Sequence, residues 1–282
     1  MSDGLNIFLF SKALYSSWCH APSYNVLFDC GEGCATQLGN TLAGIEHVFI
    51  GHDHGDHTLG LPSLVGCRNA GRGISRNEDT KDHNKPLRIY YPADNYLMED
   101  MIKFLEARYM GWLRYDLKFV PIEAGFELDL GNKRFVRAFN MEHQKAKTTL
   151  GYVIYEQRTR LKAEYKGQNI PALLKSGEAT RDSINETYRA NLFAYCLDAY
   201  KIPDYKQITD CGAVVMDCTF IKHEDRTDMT HFTLDEARMV CNGNGVKRMF
   251  AAHLSGRYDY NEVAKDYPDV HFINPFITNH LT

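Results

Sequence analysis

The chain has 282 residues, is 44% hydrophobic and 24% charged, and carries a formal net charge of −4. That length can bury one large core, so a single domain over residues 1–282 is the default expectation, and the acidic balance excludes a global basic field for a polynucleotide. No apolar run approaches the ~20 residues that cross a bilayer, and the start MSDGLNIFLF lacks a basic, then apolar, leader, so a cytoplasmic protein with no membrane partner is expected.

In chain order, the first half alternates β-like runs with turns: NIFLF (6–10), YNVLFDCG (24–31), HVFIG (47–51), LRIYYP (87–92) and LKFVPI (117–122). SKALYSSWCHAPS (11–23) reads as a bulky aromatic loop, and 95–108 reads as a helix with Leu97, Met101, Phe104 and Leu105 on one face. FELDL and KRFVRAFNM flank a Gly131-Asn132 turn, a hairpin signal. GYVIYE follows as a strand, and RTRLKAEYK (158–166) reads as a solvated helix face. The polar stretches 71–86 and 162–187 read as loops or insertions, the second with a short ALLKSGE helix. Strands then return at 193–199, 212–220 and 247–253, with a helix at 233–245 that Thr233 caps. Hairpins are too frequent for a doubly wound parallel sheet. The pattern fits an α/β (α+β) fold: an αβ/βα sandwich of two mixed β-sheets flanked by helices.

Eight cysteines occur without a CxxC pair, which argues for reduced, mostly buried thiols rather than a zinc knuckle or redox motif. The chemistry concentrates elsewhere. Three of the chain's 12 histidines fall in HDHGDH (52–57), between the apolar strand HVFI and a Gly/Pro turn. Imidazole and carboxylate donors converging at a strand end suit zinc or manganese. One ion cannot use all four of His52, His54, Asp56 and His57. On a strand-to-helix turn the first two can reach one ion and the last two a second, and further ligands should come from later strand ends. His143, Asp198 and His253 stand at such ends, where a polar side chain beside a β core is costly unless paired or ligating.

The series LFDCGEG (27–33), HDHGDH, EHQKAKTTLGY (142–152), CLDAY (196–200), HFTLDEA (231–237) and AAHLSGRY (251–258) resembles the metallo-β-lactamase superfamily, most closely its ribonuclease Z branch. The resemblance implies a four-layer sandwich holding two divalent ions per chain, Zn2+ or alternatively Mn2+. It assigns His52, His54 and His143 to one ion, Asp56, His57 and His253 to the other, and Asp198 to the bridge. It makes Asp29 the residue that orients a ligating histidine. His231 matches the family's non-ligand histidine that contacts the scissile phosphate and protonates the leaving oxygen. Asp217 stands where the family has a glutamate and would support His231; because the family's Gly-Asp-Thr bridge reads Leu197-Asp198-Ala199 here, Asp217 also competes for the bridging role. Asp56 would orient the attacking water or take its proton.

The resemblance also implies a homodimer. Transfer-RNA-processing relatives carry a long arm between the third ligand histidine and the bridging aspartate. Between His143 and Asp198 this chain has 54 residues, which leaves little for an arm. The expected substrate is therefore a small nucleotide phosphodiester, a 3′,5′-cyclic nucleotide as in the armless anti-Pycsar phosphodiesterases that GLPSLVGCRNAGRG and KPLRIYYP resemble. RNA is the less favoured partner. The alternatives are a ribonuclease Z-type tRNA 3′-processing endonuclease and an inactive metal- or nucleotide-binding protein.

Overall fold

The structure, a computed structural model, describes residues 6–70, 85–144, 147–226 and 229–282; most of the loop expected at 71–86 lies outside them. The first sheet comprises β1 (Ile7–Lys12), β2 (Ser16–Ala21), β3 (Val26–Phe28), β4 (His47–Phe49), β5 (Leu87–Pro92) and β6 (Leu117–Ile122). The second contains β7 (Glu127–Gly131), β8 (Arg134–Met141), β9 (Thr149–Leu161), β10 (Asn185–Cys196), β11 (Ala213–Asp217), β12 (Met249–Ala252) and β13 (His271–Phe272). β14 (Asn279–Leu281) returns to the edge of the first sheet beside β1. Each sheet is mixed: β14-β1-β2-β3 and β7-β8-β9-β10 pair antiparallel, β3-β4-β5-β6 and β10-β11-β12-β13 parallel.

Between the sheets lies an aromatic core of Phe28, Phe49, Tyr152, Phe193 and Tyr195. Runs such as AVVM (213–216) are apolar throughout because both faces are buried: Val215 turns to the inter-sheet core, Val214 and Met216 to the helices outside. Helices α1 (Cys34–Leu38), α2 (Gly55–Thr58), α3 (Leu61–Ala70) and α4 (Tyr96–Tyr109) belong to the first half of the chain. Leu61, Leu64, Met98 and Leu105 of α3 and α4 cover the outer face of the first sheet. The later helices are α5 (Ile170–Ser176), α6 (Arg181–Ile184), α7 (Leu234–Gly243) and α8 (Tyr260–Asp266). Leu234, Val240 and Val263 of α7 and α8 cover the second sheet. The four-layer αβ/βα sandwich expected from the sequence is the observed fold.

Three local expectations fail. The loop at 11–23 contains β2, whose six residues SSWCHA are all buried; with no polar face there is no alternation to read. RTRL (158–161) is not helical but the end of β9, and β10 starts at Asn185 rather than near 193, inside the expected loop 162–187. From Gln157↔Arg189 to Leu161↔Asn185 these strands pair only with each other, since β8 enters at Glu156 and β11 at Phe193. Charged and threonine side chains fill this stretch because its faces meet solvent. The two-stranded ribbon is closed by a segment holding α5 and α6.

Candidate metal centre

The C-terminal ends of β3, β4, β8, β10, β11 and β12 face one another at one pole of the sandwich. Asp29, Asp198 and His253 follow β3, β10 and β12 with φ of 54°, 55° and 62°. A left-handed backbone at a non-glycine residue costs roughly 1–3 kcal/mol, and such strain persists where the surroundings fix it. The HDHGDH loop is held from below. Cys30 N–H donates to the His57 carbonyl at 2.7 Å and Gly60 N–H to the Cys30 carbonyl at 2.8 Å. A Cβ on Gly60 would lie 2.1 Å from the Gly31 oxygen and one on Gly31 2.3 Å from the Asp56 oxygen, so Gly31 and Gly60 are required by close backbone approach.

All seven sequence-assigned ligands come together here. Their donor atoms form two four-residue groups, His52, His54, His143, Asp198 and Asp56, His57, Asp198, His253, with Asp198 common to both. Asp198 Oδ2 lies 3.6 Å from His52 Nε2, 3.9 Å from His143 Nε2 and 3.3 Å from His57 Nε2, and Oδ1 lies 3.3 Å from His253 Nε2. Asp56 Oδ2 is 3.5 Å from both His57 Nε2 and His253 Nε2. Bonds of 2.0–2.2 Å to a tetrahedral ion put its donors about 3.4 Å apart. His52 Nε2, His57 Nε2, His143 Nε2 and Asp198 Oδ1 are buried and have no hydrogen-bond partner, a costly state for donors that nothing ligates. The residues fit divalent ions.

Outer contacts fix the imidazole tautomers. His57 Nδ1 is 2.6 Å from Asp29 Oδ2, which also accepts from Tyr195 Oη at 2.8 Å, while Asp29 Oδ1 accepts from Gly51 N. His143 Nδ1 donates to the Thr230 carbonyl at 2.8 Å. The Thr219 hydroxyl gives its one proton to Asp217 Oδ1, so it accepts from His253 Nδ1 at 2.8 Å. His143 and His253 therefore turn a bare Nε2 to the cluster. Burial lowers the pKa of His52, His54 and His143, which keeps them neutral, as ligands must be. Burial also opposes charge on His57, but Asp198 and Asp29 outweigh it and hold this imidazole well above its usual range. For Asp198, burial is outweighed by His253 and His57, and its carboxyl stays well below the usual range.

Asp217 and His231 form a third group with Asp198 and His253 whose donor atoms also lie within 4.8 Å of one another, but the Asp217 carboxylate is already engaged. It accepts four hydrogen bonds, from Thr219 N and Oγ1 on Oδ1 and from Ala199 N and His231 Nδ1 on Oδ2. His231 stacks on His253 at 5.1 Å between centroids and lies 4.8 Å from His143. Asp53 points away from the cluster, paired with Lys147 at 3.0 Å and accepting from Leu97 N at the start of α4. Sequence reasoning missed Thr219, Tyr195 and Gln144, whose amide donates to His54 Nε2 at 2.5 Å. It also missed Arg226, which bonds both oxygens of Glu236 and the His231 carbonyl.

A family profile described as a β-lactamase superfamily domain matches residues 24–165, half of the chain. The ribonuclease Z of Halorubrum lacusprofundi is 31% identical over 261 residues, 83% of this chain and 78% of that one. The chain belongs to the metallo-β-lactamase superfamily. Its place is in the ribonuclease Z-like branch: the ribonuclease Z of Ligilactobacillus salivarius is 28% identical over 284 residues, covering 89% of this chain and 85% of its own. The crystal structure of the short form of human tRNase Z has the same fold, with a TM-score of 0.65 over 99% of this chain and 100% of that one at 17% identity. Family and cluster together make this superfamily member a metal-dependent phosphodiester hydrolase. Among the described residues no helix is long and apolar enough to cross a membrane.

Proposed function

We propose that this chain is an RNA 3′-processing endonuclease of ribonuclease Z type, with two ions per chain. The observation that carries the reading is the β9–β10 ribbon. The interval between His143 and Asp198, too short by residue count for an arm, is spent on five strand pairs beyond the sheet and a closing segment with α5 and α6. A cyclic nucleotide has no use for such a projection; an RNA does. The relatives named ribonuclease Z, aligned over most of their length, support the same choice.

Within this reading His52, His54 and His143 would hold one ion, Asp56, His57 and His253 would hold the other, and Asp198, which belongs to both groups, would serve both. Zinc is the ion that imidazole and carboxylate donors at these separations fit best, with manganese the runner-up. Bound, the ions would supply positive charge against the phosphate oxygens and lower the pKa of water. Asp56, whose side chain is 11% exposed, orients the attacking water or takes its proton. His231, 16% exposed and held by Asp217, gives a proton to the leaving ribose oxygen, which is a poor leaving group without it.

The net charge of −4 favours a second reading, a cyclic-nucleotide phosphodiesterase on the same centre. Zinc- or manganese-loaded protein should be given a precursor tRNA with a 3′ trailer beside cyclic CMP, UMP, AMP and GMP. Trailer removal is expected; turnover of cyclic nucleotides alone would replace the first reading by the second. No turnover of either substrate class would leave a binding protein.

A further inference from the structure

A groove of about 1360 Å³ lies at the pole of the second sheet opposite the metal cluster. Its lining includes Arg134 at the start of β8, Gly212 just before β11 and Lys247 and Arg248 just before β12, strands whose far ends lead to His143, Asp217 and His253. An eight-residue strand such as β8 is about 26 Å long, so groove and cluster are separated by the length of the sheet. Arg158 and Arg160 on the ribbon form another wall.

The charge there runs against the rest of the molecule. Eight basic and three acidic side chains line the groove, in a chain with 32 basic and 36 acidic residues. Some of this charge is internally met: Glu156 pairs with Arg158 at 2.5 Å, while Glu127 and Glu186 reach Arg189 and Arg160 from beyond the wall at 3.0 and 2.8 Å. Counting those two as well, eight cations face five anions. Arginine also lies over tyrosine three times: Arg134 on Tyr24, Arg160 on Tyr188 and Arg189 on Tyr155, at 5.5, 4.7 and 4.9 Å from the ring centroids. Fixed guanidinium planes with aromatic faces beside them suit phosphate and stacked bases together. The volume exceeds the 300–1,000 Å³ typical of small-ligand pockets, which suits an extended ligand.

We propose that this groove binds the sugar-phosphate backbone of RNA, as a docking site separate from the metal centre. The proposal rests on the RNA reading above and adds where, far from the scissile bond, the RNA is held. Its contacts are electrostatic and independent of sequence. Lys206 and Lys247 are exposed, and Arg158 is half-exposed, so they can turn to phosphates without disturbing the core.

The test uses zinc-loaded full-length protein carrying Arg158→Ala, Lys206→Ala and Lys247→Ala together. Binding of a fluorescent precursor tRNA transcript should weaken at least ~10-fold, and the slope of log K against log salt should become shallower by about 2. Turnover of bis(4-nitrophenyl) phosphate, which needs only the metal centre, should be unchanged, which also verifies folding. The charge-preserving triple Arg158→Lys, Lys206→Arg, Lys247→Arg should bind as the parent does. Unaltered RNA affinity and salt slope in the alanine triple would overturn the proposal, as would failure of the parent to bind RNA at low salt. Because binding is read apart from cleavage, a parent that binds RNA through the groove yet cleaves only cyclic nucleotides would overturn the nuclease reading and leave the groove standing.

Discussion

His231 Nδ1 lies 2.6 Å from Asp217 Oδ2, and the other three hydrogen bonds to that carboxylate come from Thr219 and Ala199. Four donors saturate Asp217, so it has no lone pair directed at an ion. It ties the backbone after Asp198 and the ring of His231 to the same strand end.

Replacing Asp217 by Asn should therefore leave metal content unchanged and lower kcat about 10²-fold on an RNA or ribose ester, the lower range for a misoriented general acid. An ester with a 4-nitrophenolate leaving group, which departs without a proton, should be affected far less, and His231→Ala should show the same contrast. Equal losses on both substrates, or loss of metal, would assign Asp217 to the ion site instead.

Asp198 is the one donor common to both groups, with His52, His57, His143 and His253 around it. Asp198→Ala should abolish binding of both ions, while His54→Ala should reduce the content from two to one per chain by elemental analysis. Asp29→Ala keeps every ligand but frees His57 to rotate, and should weaken metal affinity about 10–100-fold. Because Asp198 and Asp29 hold a proton on His57 that an ion must displace, loading should release protons and weaken as pH falls.

How far such assignments were legible depended on local order. HDHGDH puts four donors in six residues, and the strand ends before His143 and His253 show as apolar runs. The capping box of α7, Thr233 with Glu236, is local and was readable. What joins distant segments was not. Thr219 to His253, Tyr195 to Asp29 and Gln144 to His54 span 34, 166 and 90 residues, and each partner alone is an ordinary polar residue. The ribbon was misread for a related reason: a strand pair with solvent on both faces has no apolar alternation, so RTRL looks like any charged run.

Arg226 is a positioning residue for His231. Its side chain is 4% exposed, pairs with Glu236 at 2.7 and 3.0 Å, and donates to the His231 carbonyl at 3.3 Å. Arg226→Ala removes the cation from a partly buried carboxylate and loosens the turn before α7. kcat on RNA should fall with KM nearly constant, and Arg226→Lys should rescue it only in part because an ammonium cannot pair bidentately. Burial pushes the Glu236 carboxyl up, but the Thr233 N–H and Arg226 outweigh it and leave it lowered. A lowered carboxylate contributes stability above its unfolded value of 4.5 that is lost as pH falls through the folded value. That acid-labile increment should shrink in the alanine variant, read as the pH dependence of Tm.

His20 on β2 gives a stability switch independent of the metal centre. It is 2% exposed, stacks against Phe8 at 6.4 Å, and its Nδ1 has no hydrogen-bond partner. Burial pushes its pKa down from 6.5 to about 4. The folded value lies below the unfolded one, so above pH 6.5 the residue is neutral in both states and carries no penalty. Below it the unfolded chain takes up a proton that the native state refuses, and stability drains away until about pH 4, by about 3 kcal/mol in all. Urea titrations of metal-free protein should show the wild type losing about 2 kcal/mol more than His20→Phe between pH 7 and pH 5. The metal-ligand histidines titrate in the same window, but they are common to both proteins and cancel in the difference. An identical pH dependence in the two would mean that His20 takes up its proton in the folded state, through a partner for Nδ1 that the buried strand does not offer.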